Sequence, residues 1–446
     1  MIYTQDTVFA LSSTPGNSAL SVIRITGRKA FHAIKKLTNK KSINFENRKA
    51  YTTYIYNNNK TLIDKVVVTL FYGPNSYTGE DLAEVTTHGN PIIVDSVFNS
   101  LTKLNLRLAN PGEFTSRAYQ NGKIDLIQAE STLSVINAKS IQGVQSSLLG
   151  VVGKLSKKLE TIRQLLVLSL GELEYELDIS ELDNKDAVMK KAEKNIQSTI
   201  KKMKKLIKSY KKSTIINDGA RVVITGPPNA GKSTLLNALV DQERSIVTDI
   251  PGTTRDTIEV LTHYSSHPIL LIDTAGTRKT KDKIENLGIN RTMREIKSAD
   301  IIYNLQPNPP TKQNKPETNK TIYVLNKSDL MTKKEKMETQ KKHPGWIIIS
   351  AKNKVGLNQL KRKTEKILKT KTKSNDTTFL LSKRQQEALI KSKKHLQEAI
   401  KKENLFELEI VAYNIRLSLN EFDWVLGKTT TDELLDTVFS SFCVGK

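Results

Sequence analysis

The stretch Gly226-Pro-Pro-Asn-Ala-Gly-Lys-Ser-Thr234 constrains the fold of this chain more than any other segment. It follows the apolar run Val222–Ile224 and precedes Leu235, Leu236, Ala238 and Leu239 at helical spacing, the strand–loop–helix setting of a phosphate-binding loop. Glycine at 226 and 231 lets the backbone turn its N–H groups inward around a polyphosphate, where side chains would obstruct. Lys232 supplies a point charge and Ser233 a hydroxyl for Mg²⁺, while the helix that begins there directs its positive end at the same phosphates. Asn229, Ala230, Gly231, Lys232, Ser233 and Thr234 are therefore expected to bind the nucleotide.

Around this loop, apolar strands alternate with helical segments: Val222–Ile224, Ile269–Ile272, Ile301–Leu305, Ile322–Leu325 and Trp346–Ile349. The alternation implies an α/β P-loop domain with a mostly parallel, doubly wound sheet, whose ligands lie beyond the carboxyl ends of the strands. Asp273-Thr274-Ala275-Gly276 follows the second strand, where an aspartate suits the Mg²⁺ shell and a glycine N–H suits the terminal phosphate. Asn326-Lys327-Ser328-Asp329 follows the fourth. The Asp329 carboxylate accepts from the ring N–H and exocyclic amine of guanine, a pair that adenine lacks, so the expected nucleotide is GTP. Ser350-Ala351-Lys352 ends the last strand, placed for backbone donation to the guanine oxygen. Thr277 stands where Ras-like GTPases have a water-orienting glutamine, and the Asn229 amide suits a monovalent cation that would supply charge in place of an arginine finger.

Residues 1–120 read as an α+β domain: Leu20–Ile25 and Lys65–Phe71 have strand character and Ile92–Leu104 helical spacing. His88 stands alone there and reads as structural. The patterns of 121–216 and 375–446 are helical and flank the GTPase domain, 217–374, which implies insertion of that domain into an all-α helical one. There is no run of eighteen apolar residues, and the N-terminus lacks the regions of a signal peptide, so the expectation is a soluble cytoplasmic protein with no membrane contact. The net charge of +24 admits two readings: an anionic partner such as RNA, or lysine enrichment from an AT-rich genome.

Together with Val247-Thr-Asp-Ile-Pro-Gly-Thr-Thr-Arg-Asp256, these motifs resemble the MnmE (TrmE) family of tRNA modification GTPases over essentially the whole chain. Thr14-Pro-Gly16, Gly73-Pro-Asn-Ser-Tyr-Thr-Gly-Glu-Asp81 and Pro111-Gly-Glu-Phe114 resemble that family's folate-binding N-terminal domain, and Phe439–Lys446 its closing tail. The resemblance implies a potassium-activated GTPase in a constitutive homodimer. It implies that Thr248, Asp249, Ile250, Pro251, Gly252, Thr253 and Thr254 join the GTP site, with Asn229, Thr248, Ile250 and Thr253 holding K⁺ and Ser233 and Thr254 holding Mg²⁺. Glu285 matches the catalytic glutamate, and Arg24, Glu84, Lys123 and Lys446 match the folate pocket. The implied reaction adds an aminomethyl or carboxymethylaminomethyl group to the wobble uridine of certain tRNAs. Its one-carbon source is methylene-tetrahydrofolate, and the FAD protein MnmG is the partner in a heterotetramer. Two departures from the family pattern are Asn90 in His88-Gly-Asn90, which raises a question about the backbone beside Glu84, and Leu426-Gly-Lys428. The single cysteine, Cys443, reads as a packed small residue, the alternative being a thiol held near the one-carbon unit. Competing readings are a ribosome-assembly GTPase, against which no Gly-x-x-Gly RNA module follows the GTPase motifs, and a folate- or RNA-binding scaffold with a vestigial GTPase.

Overall fold

The computed structural model describes residues 6–39, 46–178, 185–241, 258–265, 267–273, 293–309, 320–372, 379–401 and 407–445. They form two compact units: Met1–Leu133, Gly150–Lys202 and Glu387–Lys446 make the first, and Ser134–Leu149 with Met203–Gln386 the second.

The first unit is built on a mixed sheet of β1 (Val8–Leu11), β2 (Ser18–Thr26), β3 (Ala50–Tyr56), β4 (Leu62–Phe71), β5 (Leu82–Gly89) and β6 (Arg107–Leu108), in the order β3-β4-β5-β2-β1-β6. Only β1 and β6 pair in parallel. On β4 the residues Asp64, Val66, Val68 and Leu70 alternate inward, the period-two pattern of a sheet covered on one face. Helices α1 (Ala30–Leu37) and α2 (Pro91–Lys103) supply that cover through Ala33, Ile34, Val97 and Leu101. Asn90 answers the question raised by its departure from the family pattern. It is the N-cap of α2, its backbone is extended, and its side chain accepts from the Ile92 N–H. Nor does His88 stand alone: its Nδ1 lies 2.7 Å from Asp64 Oδ1, and its N–H donates to Oδ2.

A buried charge network ties the start of the described chain to α3 (Glu113–Gln120). The Arg117 guanidinium donates to Glu113 Oε1 (2.7 Å), Asp6 Oδ1 (2.8 Å) and Glu80 Oε2 (3.1 Å), and Arg107 adds a bond to Glu113 of 2.8 Å. Arg117 is 2% and Glu113 0% exposed, so water replaces neither partner. Burial opposes ionisation of Glu113, but the N–H donors of Arg107, Asn110 and Arg117 outweigh it and hold the carboxyl below its ordinary value of 4.5. Helices α4 (Leu126–Asn137), α5 (Ile141–Val151), α6 (Lys154–Asp178) and α7 (Lys185–Asn217) follow.

In the second unit β7 (Ala220–Thr225), β8 (Ile258–Tyr264), β9 (His267–Asp273), β10 (Ile301–Gln306), β11 (Thr321–Leu325) and β12 (Ile347–Ile348) lie in the order β12-β11-β10-β7-β9-β8. Each of the five strands expected from sequence is present. All pairs are parallel except β8 with β9, an antiparallel edge that the sequence reading did not include. Helices α8 (Lys232–Asp241), α9 (Lys333–Lys342) and α10 (Leu357–Thr372) flank these strands, and most of α5 and the end of α7 from Met203 belong to the same unit. Helices α11 (Lys383–Ala399), α12 (Leu408–Leu426) and α13 (Asp432–Ser440) end the chain. Within the first unit α6 packs on α12, where Arg163 Nε donates to Asp423 Oδ1 at 2.6 Å. The Leu426-Gly427-Lys428 departure is a helix C-cap, with Gly427 in the left-handed region at φ 75°.

Because Arg117→Ala leaves the buried Glu113 with only Arg107 and the Asn110 N–H as partners, and strips Asp6 and Glu80 of a shared donor, it should cost the first unit up to about 3–5 kcal/mol in urea unfolding. Lys428→Ala, which breaks an exposed pair with Glu160, should cost under about 1 kcal/mol. Glu113 has a depressed folded value, so its contribution is present above pH 4.5 and lost as pH falls through the lower folded value. The acid limb of a stability–pH profile should therefore flatten in Arg117→Ala.

Candidate functional site

The second sheet reverses direction beside β7, where the chain passes from β9 on one side to β10 on the other. A crevice forms at such a switch point, outside the carboxyl ends of the strands, and the phosphate-binding loop fills it. Gly226 has φ +147°, and a Cβ there would lie 2.2 Å from the Leu305 carbonyl oxygen. Gly231 has φ +91°, and its Cβ would lie 2.5 Å from Asn326 Nδ2. Both glycines are therefore required by backbone angle and by close approach. Asn229, a non-glycine residue, also takes the left-handed region at φ 60°. Lys232 opens α8, and its ammonium donates to the carbonyls of Gly226 and Pro227, each at 3.0 Å.

Ser233, one residue into α8, donates from Oγ to Asp273 Oδ2 at 2.7 Å. Asp273 ends β9 and is fully buried. A hydroxyl and a carboxylate meeting at a helix N-terminus form an oxygen-only pair, the donor chemistry that a hard cation takes.

Asn326 joins three loops. Its Nδ2 donates to the Ala230 carbonyl (2.9 Å), and its Oδ1 accepts the Ala351 N–H (3.0 Å). The Ala351 N–H thus ties the loop after β12 to Asn326. Lys327 adopts the left-handed region at φ 63° and starts the short turn Ser328–Leu330 that carries Asp329. Ser350 donates from Oγ to Asp329 Oδ1 at 2.5 Å. That hydrogen bond, first among the causes, holds the Asp329 carboxyl below its ordinary range, so Asp329 stays an acceptor. Sequence reading names Ser350 for its backbone only; the bond from its hydroxyl to Asp329 is the part that reading lacks, and a serine at a strand end, facing an aspartate after the neighbouring strand, is its only signal.

The structure thus brings together Asn229, Ala230, Gly231, Lys232, Ser233, Thr234, Asp273, Asn326, Lys327, Asp329, Ser350, Ala351 and Lys352 at one edge of the sheet. Thr248, Asp249, Ile250, Pro251, Gly252, Thr253, Thr254, Thr274, Ala275, Gly276 and Glu285 lie outside the described residues.

A second cluster sits on the first unit. Arg24 and Glu84 are Cα partners on β2 and β5, with Nε donating to Oε1 at 2.8 Å. The guanidinium carbon of Arg24 lies 5.8 Å from the Tyr77 ring centroid, and the turn that follows reaches Lys123, whose stem packs at Gly79. The C-terminal tail docks beside them: Ser12 Oγ donates to the Gly445 carbonyl (3.1 Å), and a Cβ on Gly445 would lie 2.3 Å from the Leu11 oxygen. Leu11 pairs with Ile23, the neighbour of Arg24. Phe439 and Phe442 anchor the tail at 2% and 4% exposure. Cys443 is exposed, which corrects the packed reading; its carbonyl, not its thiol, meets the fold by accepting from Gly112 N–H. Lys446 lies outside the described residues.

Comparison with known proteins covers both units. A family model described as "MnmE helical domain" matches residues 126–443, and another, "GTP-binding protein TrmE N-terminus", matches residues 7–123. The tRNA modification GTPase MnmE of Thermosipho melanesiensis is 38% identical over 99% of this chain and 100% of its own. That of Clostridioides difficile is 34% identical over 100% of both chains. The G domain of the T. maritima FeoB iron transporter aligns with 33% of this chain and 98% of its own, at 25% identity and a TM-score of 0.26.

Asp329→Asn should shift preference from GTP toward xanthosine triphosphate, because the amide donates to the xanthine oxygen and no longer satisfies guanine's two donors. Titration with both nucleotides checks this; unchanged preference for GTP would remove Asp329 from base recognition.

Proposed function

The chain belongs to the MnmE family of tRNA modification GTPases, and on that premise we propose how its two clusters share one task. The second unit binds and hydrolyses GTP, and the observation that carries this reading is the convergence of the phosphate-binding loop, the Ser233–Asp273 pair and the ionised Asp329 on one sheet edge. Lys232 and the α8 N-terminus hold the phosphates, Asn326 fixes the loops around the base, and Asp329 selects guanine. Ser233 and Asp273 suit Mg²⁺, with Thr254 as the further family-matched ligand. A Mg²⁺ ion held by these residues would supply positive charge to the bound phosphates.

Asn229, with Thr248, Ile250 and Thr253, holds K⁺ in this reading, which is supported by Asn229 being an exposed amide at a left-handed position of the phosphate loop. Glu285 orients the attacking water. The first unit takes a methylene-tetrahydrofolate at Arg24, Glu84, Lys123 and the Gly445–Lys446 tail. The Arg24–Glu84 pair beside Tyr77 offers opposite charges and a ring to a ligand with a glutamate tail and a pterin. Two copies associate as a homodimer and act with MnmG to install the aminomethyl or carboxymethylaminomethyl group on the wobble uridine, GTP hydrolysis driving conformational change.

Hydrolysis should be at least tenfold faster in K⁺ than in Na⁺ at equal ionic strength, with Asn229→Ala erasing the difference; equal rates for the intact protein would discard the bound-cation reading. Deleting Phe442–Lys446 should abolish wobble-uridine modification, measured by mass spectrometry of tRNA from a complemented deletion strain, and leave GTPase rate within about twofold. Normal modification by the truncated protein would discard the docked-tail pocket, whereas loss of both activities would assign the tail to folding.

A further inference from the structure

The two units divide the charge of the chain very unequally. The second unit contains 37 Lys and Arg against 17 Asp and Glu, a net +20; the first contains 33 against 29, a net +4. A genomic bias toward lysine codons acts on both units alike, so it does not account for the difference. The nucleotide does not account for it either, since the phosphate loop contains one lysine, Lys232.

Part of the excess collects at the opposite edge of the sheet from the GTP site. Lys320 immediately precedes β11, Asp300 immediately precedes β10, and Lys371 lies in the last turn of α10. The Lys371 ammonium donates to the Asp300 carbonyl (2.6 Å), and that of Lys320 to the Ile296 carbonyl (2.9 Å). The strand β7, six residues long, separates this edge from the phosphate loop by roughly 20 Å. From Met203 to Asn217, α7 carries five lysines and no acidic residue. Lys204, Lys208 and Lys211 recur at i, i+4 and i+7 and are exposed, so they share one face about 10 Å long, while Met203, Leu206 and Ser213 are buried on the other. Burial lowers the Lys371 pKa, and the charges of Lys211 and Lys320 act in the same direction against the pull of Asp300.

We propose that the Lys204/Lys208/Lys211 face of α7, with Lys320 and Lys371, docks the phosphate backbone of the tRNA substrate. This rests on membership in the tRNA modification GTPase family. Lysine suits the role: a compact charge on a flexible stem follows a phosphate backbone without reading sequence, so the surface positions tRNA and leaves choice of base to other groups. It also places substrate RNA on the unit that turns over GTP, at the edge away from the nucleotide.

The test uses the full-length protein and an unmodified tRNA transcript, with Kd measured across a salt series. K204Q/K208Q/K211Q should weaken binding roughly tenfold at about 50 mM salt and reduce the slope of log K against log[salt] by roughly two, as expected for the loss of two to three phosphate contacts. GTPase rate without tRNA should stay within about twofold, because none of the three lysines touches the nucleotide site. A control triple on the first unit, K35Q/K36Q/K103Q, also replaces exposed lysines and should leave affinity and slope unchanged. Equal losses in both triples would reduce the effect to net charge and overturn the surface. Unchanged tRNA binding in K204Q/K208Q/K211Q would do the same and direct attention to an acidic protein as occupant. Failure of the unaltered protein to bind tRNA at all would instead overturn the reading on which the surface rests.

Discussion

The GTP site depends on how closely one loop approaches its neighbours. Gly226 presses on the Leu305 carbonyl, and Gly231 on the Asn326 amide, with no space for a methyl group at either position. The Asn326 side chain then joins the phosphate loop, through the Ala230 carbonyl, to the loop after β12, through the Ala351 N–H. Buried polar groups cost free energy unless paired, so each of these bonds fixes a loop position as firmly as packing does. The phosphate end and the base end of the site are thereby held in register by one amide.

The first unit relies on charge where the second relies on close backbone contact. Arg117 and Glu113 are buried together, and Asp6 and Glu80 complete the donors' partners, so α3 is fixed against the first strand. The same helix begins at Gly112, whose Cβ would lie 2.3 Å from the Phe439 carbonyl oxygen, so the α13 end is seated on it. A disturbance of α3 therefore reaches the tail, and the tail lies beside β1 and the Arg24–Glu84 pair. Fold and candidate pocket share their supports here.

What the sequence makes legible follows from how local the physical requirement is. Strand-end motifs are readable because a phosphate loop needs glycine at set spacings and guanine needs a carboxylate. The five parallel strands are readable because burial on both faces demands short continuous apolar runs. Strand β8 escapes because an edge strand such as Ile258-Glu-Val-Leu-Thr-His-Tyr264 is half polar. The Asn326 links escape for another reason: their partners lie 96 and 25 residues away, and nothing in an Asn-Lys-Ser-Asp run says where the first amide points. The Arg117–Asp6 bond spans 111 residues and is equally silent. Asn90 shows the opposite case, since asparagine before Pro91 is a readable helix start whose meaning family comparison had obscured.

Charge is the feature for which composition alone misleads. A total of +24 is the same number whether it is spread or gathered, and only the division into units separates the two. Lysines of the α10 run are not all solvated: Lys363 donates to the Gly345 carbonyl and Lys371 to that of Asp300, and burial depresses both pKa values. Such lysines stabilise chain ends of the fold and at the same time raise the potential around them. A neighbouring exposed face, as on α7, then adds its charges to a field already positive. Because that field decays over about 8–10 Å at physiological salt, lysines gathered at one edge attract a polyanion far more strongly than the same number dispersed over the surface.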